Sequence, residues 1–328
     1  MTSGRLEKEL QAEKKMKEML KELPEIFSEF YYSMRASKKS YTPMAVYVRY
    51  VKNFMDFITE EKPSNDFYKE VTGSDIEQYL ISLETREVGG KTIRTGDSIQ
   101  ATRWSALNTF FDFLVNKKEY LTKNPMAKTD RPTINTEHKI TYLTEKEIAA
   151  LLKAVDENPD KLMAHRDKTI ISLFLATGLR VGALININIE DIDFDNNVIH
   201  VIEKRQKVRD IPFGDRTNKL LKSWIETRNE EFKDVKNSAL FLSQKKNRIS
   251  VDAISDMIKK YADDARIKKH ITPHKMRSSV ATNLVKKGTN IQTIANMLGH
   301  ANIQTTLRYA AVLDEEKDKA VNSLDNLF

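Results

Sequence analysis

Residues 271–310, ITPHKMRSSVATNLVKKGTNIQTIANMLGHANIQTTLRYA, set two histidines, two arginines and a tyrosine on short helical segments with clear start and stop signals. Thr272 has the side chain of an N-cap, and Pro273 suits the first helical position, where its missing N–H is no loss. A helix starting there puts His274 and Arg277, three residues apart, on one face of its first turn, beside N–H groups that attract anions. Gly288 ends this helix. A second is predicted from about Thr289 to Leu298, and Gly299 stops it, so His300 falls just past a helix end. A third short helix carries Tyr309. Groups at helix ends can converge on one point, as groups spread round a single helix cannot.

Taken singly, these residues are ordinary. His274 reads as a capping or surface histidine, Arg277 as a solvated charge and Tyr309 as a half-buried aromatic. As a set they suit attack on a phosphodiester, with arginine forks holding two non-bridging oxygens and the phenol as nucleophile. Such chemistry requires no metal.

In these residues the chain resembles the tyrosine recombinases, the phage integrases and Xer-type enzymes. Their pattern is an arginine in a TGLR-like box, a lysine in a β-hairpin, H-x-x-R, then L-G-H with a tyrosine nine residues on. Here stand Thr177-Gly178-Leu179-Arg180, Lys204, His274-Lys275-Met276-Arg277, Leu298-Gly299-His300 and Tyr309, in that order. The N-terminal half matches only by helical pattern and length. The resemblance implies a helical core-binding domain plus an α+β catalytic domain, mainly α with a small antiparallel sheet. It implies Arg180, Lys204, His274, Arg277, His300 and Tyr309 as the catalytic set, duplex DNA as substrate and no cofactor.

Composition agrees. A chain of 328 residues is long enough for about two domains, and a net charge of +7 favours a polyanionic partner. With no cysteine, disulfides and thiolate metal sites are excluded. No apolar run of about 18 residues and no apolar signal core are present, so a soluble, unexported protein without membrane contact is expected; the resemblance implies a cytoplasmic location associated with the nucleoid.

Residues 1–23, rich in Lys and Glu with Leu6, Leu10, Met16, Leu20 and Leu23 on one side, read as a helical extension. From residue 24 to 126 four amphipathic segments follow: PEIFSEFYYSMRAS, YTPMAVYVRYVKNFMDFITE, SDIEQYLISLETR and SIQATRWSALNTFFDFLVNK, with EVGGKTIRTGDS (87–98) as a polar loop. By position this bundle is the core-binding domain, and Lys38, Lys39, Tyr41, Lys91, Arg94 and Arg103 are candidate phosphate contacts. A linker is expected at 127–139, polar and broken by Pro132.

The catalytic domain, 140–328, opens with Thr144 and Glu147 in capping-box spacing. A helix from about Asp167 to Ala176 stops at Gly178 and delivers Arg180 to the next helix. Between Ile192 and Phe213 the period changes to that of three antiparallel strands, IDF, VIHVIE and VRDIPF, with turns at Asp195–Asn197 and Lys204–Lys207. The family pattern G-K-x-x-K-x-R-x-x-P aligns Glu203-Lys204 with its first pair, making Lys204 the proton donor to the departing 5′ oxygen and Lys207 the alternative. Helices at about 216–230 and 251–266 flank ALFLS, and Lys245, Lys246 and Arg248 are expected along a DNA backbone path.

The mechanism implied is transesterification without ATP: a 3′-phosphotyrosyl link forms, a 5′-hydroxyl is freed, and a partner strand's hydroxyl reverses the step. Two positions depart from the family, Ala183 where an acidic residue is usual and Ser278 where a histidine commonly follows the second arginine. Glu190 or Asp191 are alternative braces. After Tyr309, Val321, Leu324, Leu327 and Phe328 recur at helical spacing. In the family the equivalent segment passes to a neighbouring subunit in a homotetramer on two DNA sites. A type IB topoisomerase-like enzyme and a non-catalytic DNA-binding regulator are the other readings.

Overall fold

The computed structural model describes residues 13–37, 41–59, 64–133, 140–202, 208–300 and 302–310. Lys38, Lys39, Lys204, Lys207 and the amphipathic tail lie outside the described residues. The fold is mainly helical with a three-stranded antiparallel sheet, and the chain divides into two compact units, Met1–His138 and Lys139–Phe328. Among the described residues no helix is long and apolar enough to cross a membrane.

The first unit holds α1 (13–21), α2 (Glu25–Ala36), α3 (Tyr41–Ile58), α4 (Gly73–Ser82) and α5 (Asp97–Asn116). Helix α5 packs against α2, α3 and α4. Its Phe110 and Phe111 are fully buried with Phe27, Phe30 and Phe54, and the Phe30 and Phe110 rings meet edge to face at 5.2 Å. Each buried phenylalanine contributes about 1.5–3 kcal/mol, so this cluster dominates the unit's stability. Met16 and Leu20 join the same core, so α1 is part of the packed unit. The stretch read as a polar loop is instead a hairpin, β1 (Thr85–Val88) and β2 (Lys91–Arg94), turning on Gly89 and Gly90 at φ 58° and 75°. A two-residue turn with both φ positive matches the twist of antiparallel strands, and glycine adopts it without Cβ strain.

The second unit begins with α6 (Glu145–Asp156), capped reciprocally by Thr144 and Glu147. The long α7 (Lys161–Thr177) starts six residues before the expected Asp167, because Asp160 accepts from the Met163 N–H at 2.9 Å and caps it earlier. Short α8 (Val181–Leu184) follows, then a sheet in the order β3 (Ile192–Asp193), β4 (Val198–Ile202), β5 (Val208–Pro212), with Ile199 opposite Ile211. Helices α9 (Asp215–Glu231) and α10 (Val251–Asp264) complete the core around buried Trp224, whose indole N–H donates to the Leu240 carbonyl at 2.9 Å. Helix α7 packs against α6, α9 and α11 (Pro273–Lys286). Helix α12 (Ile291–Leu298) and the single turn α13 (Gln304–Leu307) then form a satellite cluster on α11.

Candidate active site

Two left-handed glycines bring the sequence boxes together. Gly178 ends α7 at φ 60° and Gly299 ends α12 at φ 65°, each a position that disfavours residues with a Cβ. A Cβ on Gly178 would lie 2.5 Å from Leu298 Cδ2, so the glycine is also what lets the two helix ends touch. The arginines staple this contact. Arg277, 5% exposed, donates from Nη1 to the Gly178 carbonyl at 2.5 Å and from Nη2 to the Leu298 carbonyl. Arg180, the residue preceding α8, is exposed and donates from Nη2 to the Gly299 carbonyl at 3.0 Å. The last carbonyls of a helix carry partial negative charge, so both guanidinium groups are held there electrostatically as well as by hydrogen bonds.

His300 follows directly. Its backbone N–H donates to the Ala295 carbonyl at 2.9 Å, closing the end of α12, and its Nδ1 lies 2.7 Å from the Thr306 hydroxyl. Burial pushes the imidazole down to about 4, and the neighbouring charges of Arg277, Arg180, His274 and Arg209 push the same way. His300 is therefore neutral at pH 7 and keeps one N–H. Arg209, on β5, is a cation near the site that the sequence reading passed over. It stands at the arginine of the G-K-x-x-K-x-R-x-x-P pattern, the signal that points to it.

His274 and Arg277 share the start of α11, yet His274 is exposed and Arg277 buried. Three residues on a helix are only about 60° apart around its axis, so the two share a face whose edge is the boundary of burial: His274 lies on the solvent side of it and Arg277 on the side turned to the end of α7. Tyr309 sits two residues past α13. It is 3% exposed, packed among Ala281, Val285, Ile294 and Leu298, with its hydroxyl 3.4 Å from Ser278 Oγ. The residue standing where relatives commonly have a histidine thus contacts the phenol.

The remaining candidates separate by partner. Lys91, Arg94, Lys245 and Lys246 are exposed. Arg248 is half-buried: its Nη1 donates to the Ile185 and Ile187 carbonyls at 2.9 and 3.1 Å and its Nη2 to Asn188 Oδ1 at 2.5 Å, pinning the segment after α8. Arg103 likewise donates within its own unit, to the Leu83 carbonyl at 3.2 Å and to Gln100 Oε1 at 3.2 Å. Asp191 accepts from the Asn188 N–H at 2.8 Å, capping a short turn.

A profile of the phage integrase family matches residues 141–316, the span that contains every box of this site. The chain belongs to the phage integrase family. It is 33% identical over 283 residues to the tyrosine recombinase XerD of Staphylococcus aureus, covering 85% of this chain and 90% of that one. To a tyrosine recombinase of Thermosipho africanus it is 30% identical over 303 residues, covering 92% and 98%. In fold it is similar to the XerH site-specific recombinase bound to a palindromic difH substrate, with a TM-score of 0.71 at 20% identity, over 89% of this chain and 82% of that one. The chain is a tyrosine recombinase, an enzyme that cuts and rejoins DNA.

Proposed function

We propose that this recombinase acts on paired duplex DNA sites in the cytoplasm, with Tyr309 as nucleophile and Arg180, Arg277 and His300 as the phosphate cradle. The supporting observation is the convergence of both guanidinium groups and His300 on the touching ends of α7 and α12. The Tyr309 oxygen bonds to phosphorus and the bond from phosphorus to the 5′ oxygen breaks. His274 takes up the phenol proton, and Lys204 gives a proton to the departing oxygen. Arg180 and Arg277 offset the charge that gathers on the pentavalent transition state, and neutral His300 donates its N–H to a non-bridging oxygen. The phosphotyrosyl link conserves the bond energy, so a strand hydroxyl from the second site can reverse the step.

A phenol that is 3% exposed cannot meet phosphorus, so cleavage requires Tyr309 to leave its apolar nest. Tyr309 lies two residues beyond α13, so a local change at Tyr309 frees the phenol while α13 itself keeps its place. Exposed Lys91, Arg94, Lys245 and Lys246, with Lys38, Lys39, Tyr41 and Lys207, are the proposed backbone contacts. The exchanged tail and the homotetramer on two sites are also part of this proposal, supported by the spacing of Val321, Leu324, Leu327 and Phe328.

The test is Tyr309→Phe on a nicked duplex carrying the site selected from a random pool by the wild-type chain. Binding is expected to persist while the covalent, EDTA-resistant adduct disappears. An undiminished adduct would overturn the assignment. Strand exchange between two such duplexes separates a recombinase from an enzyme that only relaxes DNA.

A further inference from the structure

Helical threonines in this chain commonly turn their hydroxyls back to the carbonyl four residues earlier, as Thr102, Thr109, Thr169 and Thr177 do at 2.6–2.8 Å. Thr306 does something else. It is fully buried, and its hydroxyl lies 2.7 Å from Nδ1 of His300. A neutral imidazole has one N–H and one lone-pair nitrogen, and the partner of one nitrogen decides which of them holds the proton. We propose that Thr306 is a positioning residue: its hydroxyl donates to Nδ1 of His300 and fixes the tautomer whose Nε2–H donates to the phosphate.

The other orientation, Nδ1–H donating to the threonine, would leave Nε2 as a bare lone pair facing an anion, which repels instead of binding. In a site already crowded by Arg180 and Arg277, burial keeps the ring from gaining a second proton. The tautomer therefore decides whether His300 helps or hinders. Thr306 also accepts from the Tyr309 N–H through its carbonyl at 2.9 Å, so one residue links the histidine to the turn that holds the nucleophile. The inference rests on His300 being a phosphate contact.

Thr306→Val keeps the shape and removes the hydroxyl, whereas Thr306→Ser keeps the hydroxyl. Single-turnover cleavage of the nicked selected duplex by the full chain should fall about 10–100-fold in Thr306→Val, the usual loss when the partner that orients a functional histidine goes. Thr306→Ser should stay within about threefold of wild type, and gel-shift affinity should hold in both. His300→Ala should lose about 100–1,000-fold, and adding Thr306→Val to it should cost little more, because both remove the same donor. Nitrogen-15 spectra of the histidine rings give a readout that mere packing would not move. The wild-type His300 should show its proton on Nε2, and Thr306→Val should shift that population toward Nδ1.

A wild-type ring protonated on Nδ1, or a Thr306→Val chain with unchanged cleavage and spectrum, would overturn the proposal. Full cleavage by His300→Ala would instead remove the phosphate role of His300, while the spectra would still judge the hydrogen bond. If Thr306→Val fails to fold, Thr306→Ser and the wild-type spectrum decide: Nε2–H with retained cleavage supports the inference, and Nδ1–H sinks it.

Discussion

Two kinds of cation stand on this surface, and they should fail differently. Arg180 presents a planar fork tied to the Gly299 carbonyl, whereas Lys245 is an exposed ammonium. Arg180→Lys keeps the charge and loses the fork, so cleavage should drop by roughly two orders of magnitude or more with little change in affinity. Lys245→Ala should weaken binding at every sequence and reduce the slope of log affinity against log salt by about 0.9. Cleavage and salt-titrated gel shifts on both variants check this, and parallel losses in both assays would count against a catalytic Arg180. His300 adds a pH signature. Its value lies near 4 in the folded chain against the ordinary 6.5, so between those values the unfolded chain binds a proton that the folded chain refuses. Its stabilising contribution is full above about pH 6.5 and is lost as pH falls toward 4. Thermal unfolding at pH 7.5 and pH 5 should show a smaller acid loss in His300→Gln than in wild type.

At the scale of elements, the site depends on the contact between the ends of α7 and α12. Gly178→Ala should cost about 1–2 kcal/mol for the left-handed backbone alone, with the clash on Leu298 added, and cleavage should fall as Arg277 loses its seat on the Gly178 carbonyl. Gly182→Ala, inside α8 with no atom within 4 Å of the new Cβ, serves as the control and should melt at or slightly above wild type. The residues that start and stop the helices of the site are legible because caps and left-handed stops depend on one or two residues each: Thr272, Gly178, Gly299. The β1–β2 hairpin was not read, because TREV and KTIR lack apolar alternation and β2 is exposed along its length. The glycine pair at its turn was the available signal. The burial of Tyr309 and the inward turn of Arg248 were illegible for another reason. Each is fixed by residues distant in sequence, Val285 and Leu298 around the phenol and Ile185 to Asn188 around the guanidinium. Local pattern picks out the candidate residues, while packing decides which of them face inward.

At the scale of the molecule, the proposed reaction exchanges strands between two duplexes and is expected to couple cleavage to their pairing. The buried Tyr309 suggests how that coupling works: the nucleophile rests in an apolar nest until the chain beyond it is pulled. In the proposed assembly the tail is the handle. Val321, Leu324, Leu327 and Phe328 recur at helical spacing; in a helix they would share one apolar face, and a helix of that length, marginal alone in water, would gain order by docking on another surface. Docking on a neighbouring subunit is a head-to-tail contact, which closes into a ring when the rotation allows, and each ring contact would draw on one Tyr309. Truncation after Asp318 should therefore leave a folded chain that shifts a single-site duplex as wild type does, yet gives little tetrameric synapse and little recombinant product. Crosslinking and a two-site recombination assay measure both. If the truncated chain forms synapse and product at wild-type levels, the tail is not exchanged, and the release of Tyr309 must be driven by the DNA itself.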